Sequence, residues 1–169
     1  MKRYTVRAVL FAALLCIVAT ASAADKGSPA KFKALEVRHF VLADGVVLPE
    51  ATITPQSYLN LFYEALRTEL EKKGIAAQIV AEGASVPEAD AAESVVVEGK
   101  ITDFKKAGRT MAHPAELSMQ VDLCRVQGHA LIKTIPLHTK LVPGSYKTDA
   151  NLAKISGHWV AGEIEKALK

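Results

Sequence analysis

Leu117, Met119, Val121 and Leu123 alternate with Ser118, Gln120, Asp122 and Cys124, the period-two pattern of a strand with one buried face and one wet face. The same period recurs at 34–41, where Leu35, Val37, His39 and Val41 share a side and Glu36, Arg38 and Phe40 share the other. At 95–104, Val95, Val97 and Ile101 point one way and Glu98, Lys100 and Thr102 the other. Residues 76–81 read as a short strand, and 130–142 as a longer one with Leu131, Ile135, Leu137 and Leu141 on one side. Pro136 has no backbone donor, so this last strand is expected at a sheet edge or with a bulge. Gly99 falls on the inward face, where a missing side chain admits a close neighbour.

Two segments repeat with helical spacing instead. Thr54-Pro55 supplies an N-cap and a first-turn proline, Leu59, Phe62, Leu66 and Leu70 form an apolar stripe, and Gly74 supplies the left-handed stop. After Pro143-Gly144, Thr148 or Asp149 caps a last helix with Leu152, Ile155, Trp159, Ile164 and Leu168 as its stripe. Gly157 and Gly162 weaken that helix by about 1 kcal/mol each relative to Ala, so packing must hold it, with Trp159 as its expected anchor. Asp44-Gly45 and Gln127-Gly128 mark turns, and the stretch from Glu82 to Glu93 is too acidic and alanine-rich for a core.

The order strand, helix, strand predicts a right-handed crossover with its two strands parallel. Antiparallel strands and a helix follow. Helices with one apolar stripe and strands with one apolar face are buried together in a two-layer α+β sandwich, a mixed and mostly antiparallel sheet under two amphipathic helices.

The first 23 residues interrupt this pattern. Lys2, Arg3 and Arg7 precede an apolar run from Ala8 to Val18, and Ala21, Ser22 and Ala23 offer a small-residue cleavage site, which together read as an export signal cut near Ala23. The run falls short of the roughly 20 residues that cross a bilayer, and no second one follows, so no span is expected in the mature chain. Cys16 follows Leu14 and Leu15 rather than a small residue, which argues against a lipid-anchored protein. Residues 24–33, broken by Gly27 and Pro29, read as a flexible lead-in, and 34–169 as a single domain. The expected location is the periplasm or the exterior.

Removing the signal changes the charge. Three of the 21 basic residues lie in it, which leaves 18 basic against 18 acidic and removes the basic excess that nucleic-acid binding requires. The remaining charge is unevenly placed: Glu82, Glu88, Asp90, Glu93 and Glu98 have no basic residue among them, whereas the balance reverses from Lys100 to Lys147. Either this is a solvated face with local pairing, or Lys100, Lys105, Lys106 and Arg109 form a docking surface for an acidic partner.

Candidate chemistry is sparse. The five histidines, His39, His113, His129, His138 and His158, show no metal-binding spacing, and His129 and His138 are expected on opposite faces of one strand. No cofactor, metal site or catalytic group is therefore assigned. Cys124 is expected on the wet face, where Asp122 raises its pKa and disfavours a nucleophile. The serines lack a nucleophile-elbow context and the glycines do not cluster as a phosphate loop does. Were the chain an enzyme, Asp103, His113 and Glu116 would be the first suspects; were it an apolar-ligand carrier, Phe62, Leu66 and Trp159 would line the pocket.

The block Val95-Val96-Val97-Glu98-Gly99-Lys100-Ile101-Thr102-Asp103-Phe104, with Val121-Asp122-Leu123 and then Gln127-Gly128, resembles the central strand and following hairpin of small exported bacterial proteins of unknown function. More distantly, the element order resembles the amino-terminal domain of TolB and the periplasmic parts of curli-secretion and penicillin-binding-protein activator lipoproteins. The resemblance implies binding to envelope machinery rather than catalysis. The expectation is an exported, non-catalytic interaction or assembly module with an envelope protein as partner, and a homo-oligomer remains open.

Overall fold

The computed structural model describes residues 31–48, 53–105, 115–141 and 148–169. The signal, residues 24–30 of the lead-in, Lys106, Arg109 and His113 lie outside them. Strands β1 (Phe32–Val37), β2 (Val41–Leu42), β3 (Ala76–Ala81), β4 (Val95–Lys105), β5 (Ala115–Arg125) and β6 (Leu131–Leu141) form one sheet in the order β3-β1-β4-β5-β6, with β2 paired beside β1 on β4. Its first part is parallel and its longer, β4-β5-β6 part antiparallel. This is the two-layer α+β arrangement that the two periodicities require. β1 and β3 are parallel, as the crossover through helix α1 (Pro55–Lys73) dictates. The strand begins at Phe32, two residues before the expected start.

Helix α1 starts where Thr54 accepts a hydrogen bond from the Ser57 amide and stops at Gly74, whose φ of 61° is left-handed. Its stripe of Leu59, Phe62, Leu66 and Leu70 is buried in the core, where fully burying one such side chain contributes about 1.5–3 kcal/mol. Helix α3 (Asp149–Leu168), capped by Thr148, runs parallel to α1: Gly157 meets the turn from Phe62 to Leu66, and Glu165, in the last turn of α3, pairs with Lys73 at the end of α1. A short helix, α2 (Glu88–Ala91), lies in the connection from β3 to β4. That crossover returns across β1 in the opposite direction, so right-handedness places it on the face opposite α1. Glu36 and Val96, on that face, are buried. The acidic segment from Glu82 to Glu93 is thus a crossover rather than a core element.

Three expectations change. The first strand does not continue straight to Val41: Val37 pairs with Val97 but Val41 with Lys100, so four residues advance on one side against three on the other. The additional residue reverses the facing, which puts Phe40 inside and leaves His39 and Val41 exposed. The Phe40 ring then fills the space left by Gly99 and meets Phe62 at 4.9 Å between centroids. On β6, Leu123 pairs with Lys133 but Cys124 with Leu131, so Ile132 is the surplus residue and Leu131 leaves the side it was expected to share with Ile135. Finally, Trp159 and Ile155 only pack against the core edge. Leu152, Ile164 and Leu168 of the expected stripe are buried, but between them the face is Ala153, Ser156, Gly157, Val160 and Ala161, because close approach to α1 favours small residues over a bulky anchor.

Candidate functional site

Helices α1 and α3 cover one face of the sheet, and the other carries the polar residues of β4 and β5. At the carboxyl ends of β1 and β3 the chain departs to opposite faces, through α1 in one case and α2 in the other. Such a switch point leaves a crevice between the two strands. Here His39, just after β1, meets Glu82, just after β3. One Glu82 oxygen accepts from the His39 backbone amide at 3.1 Å and lies 2.8 Å from His39 Nδ1. These bonds hold the Glu82 carboxyl below the usual carboxylate range, the side-chain bond contributing most. The imidazole stacks on Tyr63 of α1 with centroids 3.9 Å apart.

An open groove of about 350 Å³ runs from this pair across the sheet, lined among others by Arg38, Glu98, Lys100 and Asp122. It carries both signs of charge. Arg38 Nε donates to Glu36 at 3.0 Å and its Nη1 to Glu98 Oε2 at 3.0 Å. The bond to Glu36 chiefly raises the guanidinium pKa further. Asp122 accepts from Thr134 Oγ1 at 2.6 Å and from Gln120. Val41 is the large apolar side chain in its lining, and most of the other lining residues are charged, which suits polar or charged groups.

Of the four residues expected to bind a partner, Lys100 lies in this groove and has no ion pair among the described residues. Lys105 lies farther along β4, 3.5 Å from Glu116, which Lys140 approaches from β6 at 3.1 Å. The three residues face one another across the ladder, and Lys140 chiefly lowers the Glu116 pKa. The structure therefore separates Lys100 from Lys105 in role: one is available, one is engaged. Asp103 also pairs with Lys105, so two of the enzyme suspects, Asp103 and Glu116, are partners of lysines. Phe62 and Leu66 are fully enclosed in the core, and Trp159, only partly buried, packs against that same core from α3.

Cys124 differs from expectation. It faces the outer side but is only 3% exposed. Burial first, then Glu98 and Asp122, push its thiol pKa up. His129 is not on the strand with His138; it sits in a 3₁₀ turn, Gln127–His129, while His138 lies 3.0 Å from Ser118 Oγ. Arg38, His39 and Glu82 escaped the sequence reading, since 43 residues separate the last two. Their position at the ends of the first two strands of a crossover was the available signal.

No family model matches the chain, and no curated protein matches it. Solved structures do. It is similar to protein XCC0632 from Xanthomonas campestris, described with family DUF330, at 12% identity and a TM-score of 0.54, over 85% of each chain. The PelC dodecamer from Paraburkholderia phytofirmans aligns at 13% identity and a TM-score of 0.50, over 80% of this chain and 89% of that one. TolB from Acinetobacter baumannii aligns at 18% identity with a TM-score of 0.40, over 83% of this chain and 29% of its own. The first two share the fold with this chain. Among the described residues, no helix is long and apolar enough to cross a membrane.

Proposed function

We propose that this chain is an exported, non-catalytic interaction module of the cell envelope, which receives a partner protein along the edge of β6 with the help of basic residues between Lys100 and Arg109. The observation that carries this reading is the edge itself. Among the described residues β6 pairs with β5 alone, and its first two residues, Leu131 at 61% and Ile132 at 44%, expose apolar surface beside a bulge. An open edge accepts an added strand through backbone hydrogen bonds, and exposed side chains on it give selectivity. Pro136 removes one donor mid-strand, which directs the added strand to the 131–135 segment. Lys100, Lys105, Lys106 and Arg109 favour an acidic partner, with Lys100 the one among the described pair that is not already engaged. Export, implied by residues 1–23, places the encounter in the periplasm or outside.

A photo-crosslinker placed at Ile132 in the native envelope should capture one discrete second protein, while the same group at Lys72 on α1 should not. With the crosslinker kept at Ile132, Leu131→Asp should abolish capture and change stability by no more than about 0.5 kcal/mol, as exposed positions do. Lys100→Glu should weaken it. Capture of a second copy of this chain would replace the partner with self-assembly, for which the shared fold of the PelC dodecamer is the motive. Equal capture from Ile132 and Lys72 would end the edge-docking reading.

A further inference from the structure

On the outer face, the Glu98, Cys124 and His129 side chains converge so that one donor atom from each lies within 4.8 Å of the others. We propose that they bind a borderline-soft divalent cation of the zinc class, with a fourth position left for water. Glu98 Oε1 is 3.1 Å from His129 Nε2 and 3.9 Å from Cys124 Sγ. Ligand atoms about 2.0–2.3 Å from one tetrahedral ion lie roughly 3.2–3.9 Å from each other, so both separations from Glu98 are close to the spacing that a zinc ion imposes, and the third lies within 4.8 Å. Thiolate, imidazole and carboxylate together select zinc over the hard cations, which prefer oxygen alone.

Two further features fit a prepared site. Arg38 holds the other oxygen of Glu98, Oε2, at 3.0 Å and so fixes the direction of Oε1, as an outer hydrogen bond does for a metal-binding carboxylate. His129 reaches the triad from a backbone φ of 49°, which no other non-glycine residue among those described adopts. That left-handed conformation costs about 1–2 kcal/mol and persists where surrounding structure requires it. Here it follows Gly128, also left-handed at 72°, so the turn winds back and lays the imidazole over the sheet. The ion would replace the thiol proton, which leaves to water, and join β4, β5 and the turn before β6. The inference stands apart from the docking reading.

The test uses untagged purified protein and cobalt(II), whose spectrum reports its ligands. One equivalent should bind with a sulfur-to-cobalt charge-transfer band in the near ultraviolet and the intense visible bands of a tetrahedral ion. Zinc should displace it stoichiometrically and raise the melting temperature. Cys124→Ser should remove the sulfur band. His129→Gln, at an exposed position where folding is not at stake, should weaken zinc binding by about tenfold or more, whereas His138→Gln should leave it unchanged. Absence of binding, binding without the sulfur band, or unaltered affinity in the His129 variant would each overturn the proposal.

Discussion

A Cβ built at Gly99 would sit 2.4 Å from Phe40 Cε1 and 2.7 Å from the Gln120 carbonyl oxygen. The ring could swing aside, but the carbonyl belongs to the neighbouring strand and cannot. Gly99→Ala should therefore lower unfolding free energy by about 1–3 kcal/mol in urea titrations, the usual cost of overpacking a filled core. Combining it with Phe40→Leu should recover only part, since the carbonyl contact stays. Full recovery would mean that the ring alone sets the constraint. At this scale the sequence was readable in one respect and silent in another. The inward position of Gly99 announced a close neighbour, whereas Phe40 as that neighbour depends on one surplus residue between Val37 and Val41. Alternation cannot reveal a bulge that reverses it.

The packing of α3 on α1 shows how the same residue type acts oppositely five residues apart. At Gly157 a Cβ would lie 2.6 Å from the Phe62 carbonyl oxygen and 2.9 Å from the Leu66 amide nitrogen; at Gly162 it would meet nothing within 4 Å. Gly157→Ala should destabilise by about 1–3 kcal/mol through forced separation of the helices. Gly162→Ala should stabilise by about 0.5–1 kcal/mol by removing backbone freedom from the unfolded chain. Paired urea denaturation curves read both signs, and two changes of like sign would contradict this account. Helical spacing gave both stripes, and on α1 the buried face is the one it named. On α3 it favoured the bulky Trp159, because hydrophobicity ranks a large ring above Ala and Gly. Helix contact distance reverses that ranking, so Ala153, Gly157 and Ala161 take the interior.

The whole molecule is closed at one end by charge. Glu165 lies 2.5 Å from Lys169 Nζ and 2.7 Å from Lys73 Nζ, the latter joining α3 to the end of α1, and Lys31 Nζ donates to the Leu168 carbonyl nearby. Lys169, then Lys73, hold the Glu165 carboxyl down to about 2, below its ordinary 4.5. A carboxyl lowered in the folded state takes its proton first in the unfolded state. Its contribution is whole above about pH 4.5 and is lost as pH falls toward 2. The stability difference between wild type and Glu165→Gln should thus stay level from pH 7 to 5 and shrink below 4.5, and added salt should reduce it. A difference that widens as the solution is acidified would refute the assignment. Similar local pairing accounts for the uneven charge along the chain: Glu82 and Glu98 of the acidic stretch meet His39 and Arg38, and Glu116 sits between Lys105 and Lys140.

Periodicity by itself determined the element types, the parallel first pair, and a helix layer over a sheet, because each follows from burying one stripe or one face against its nearest sequence neighbours, whereas the missing donor of Pro136 left an edge or a bulge open. Only the tertiary structure decided which polar residues meet. Glu98 is opposite Asp122 and diagonal to Cys124 through strand register, and His129 joins them through a left-handed turn. His39 and Glu82 meet because two crossovers leave the sheet on opposite faces. Those are sums of register, bulges and handedness over distant segments, and such sums leave no spacing in the chain for a motif to record.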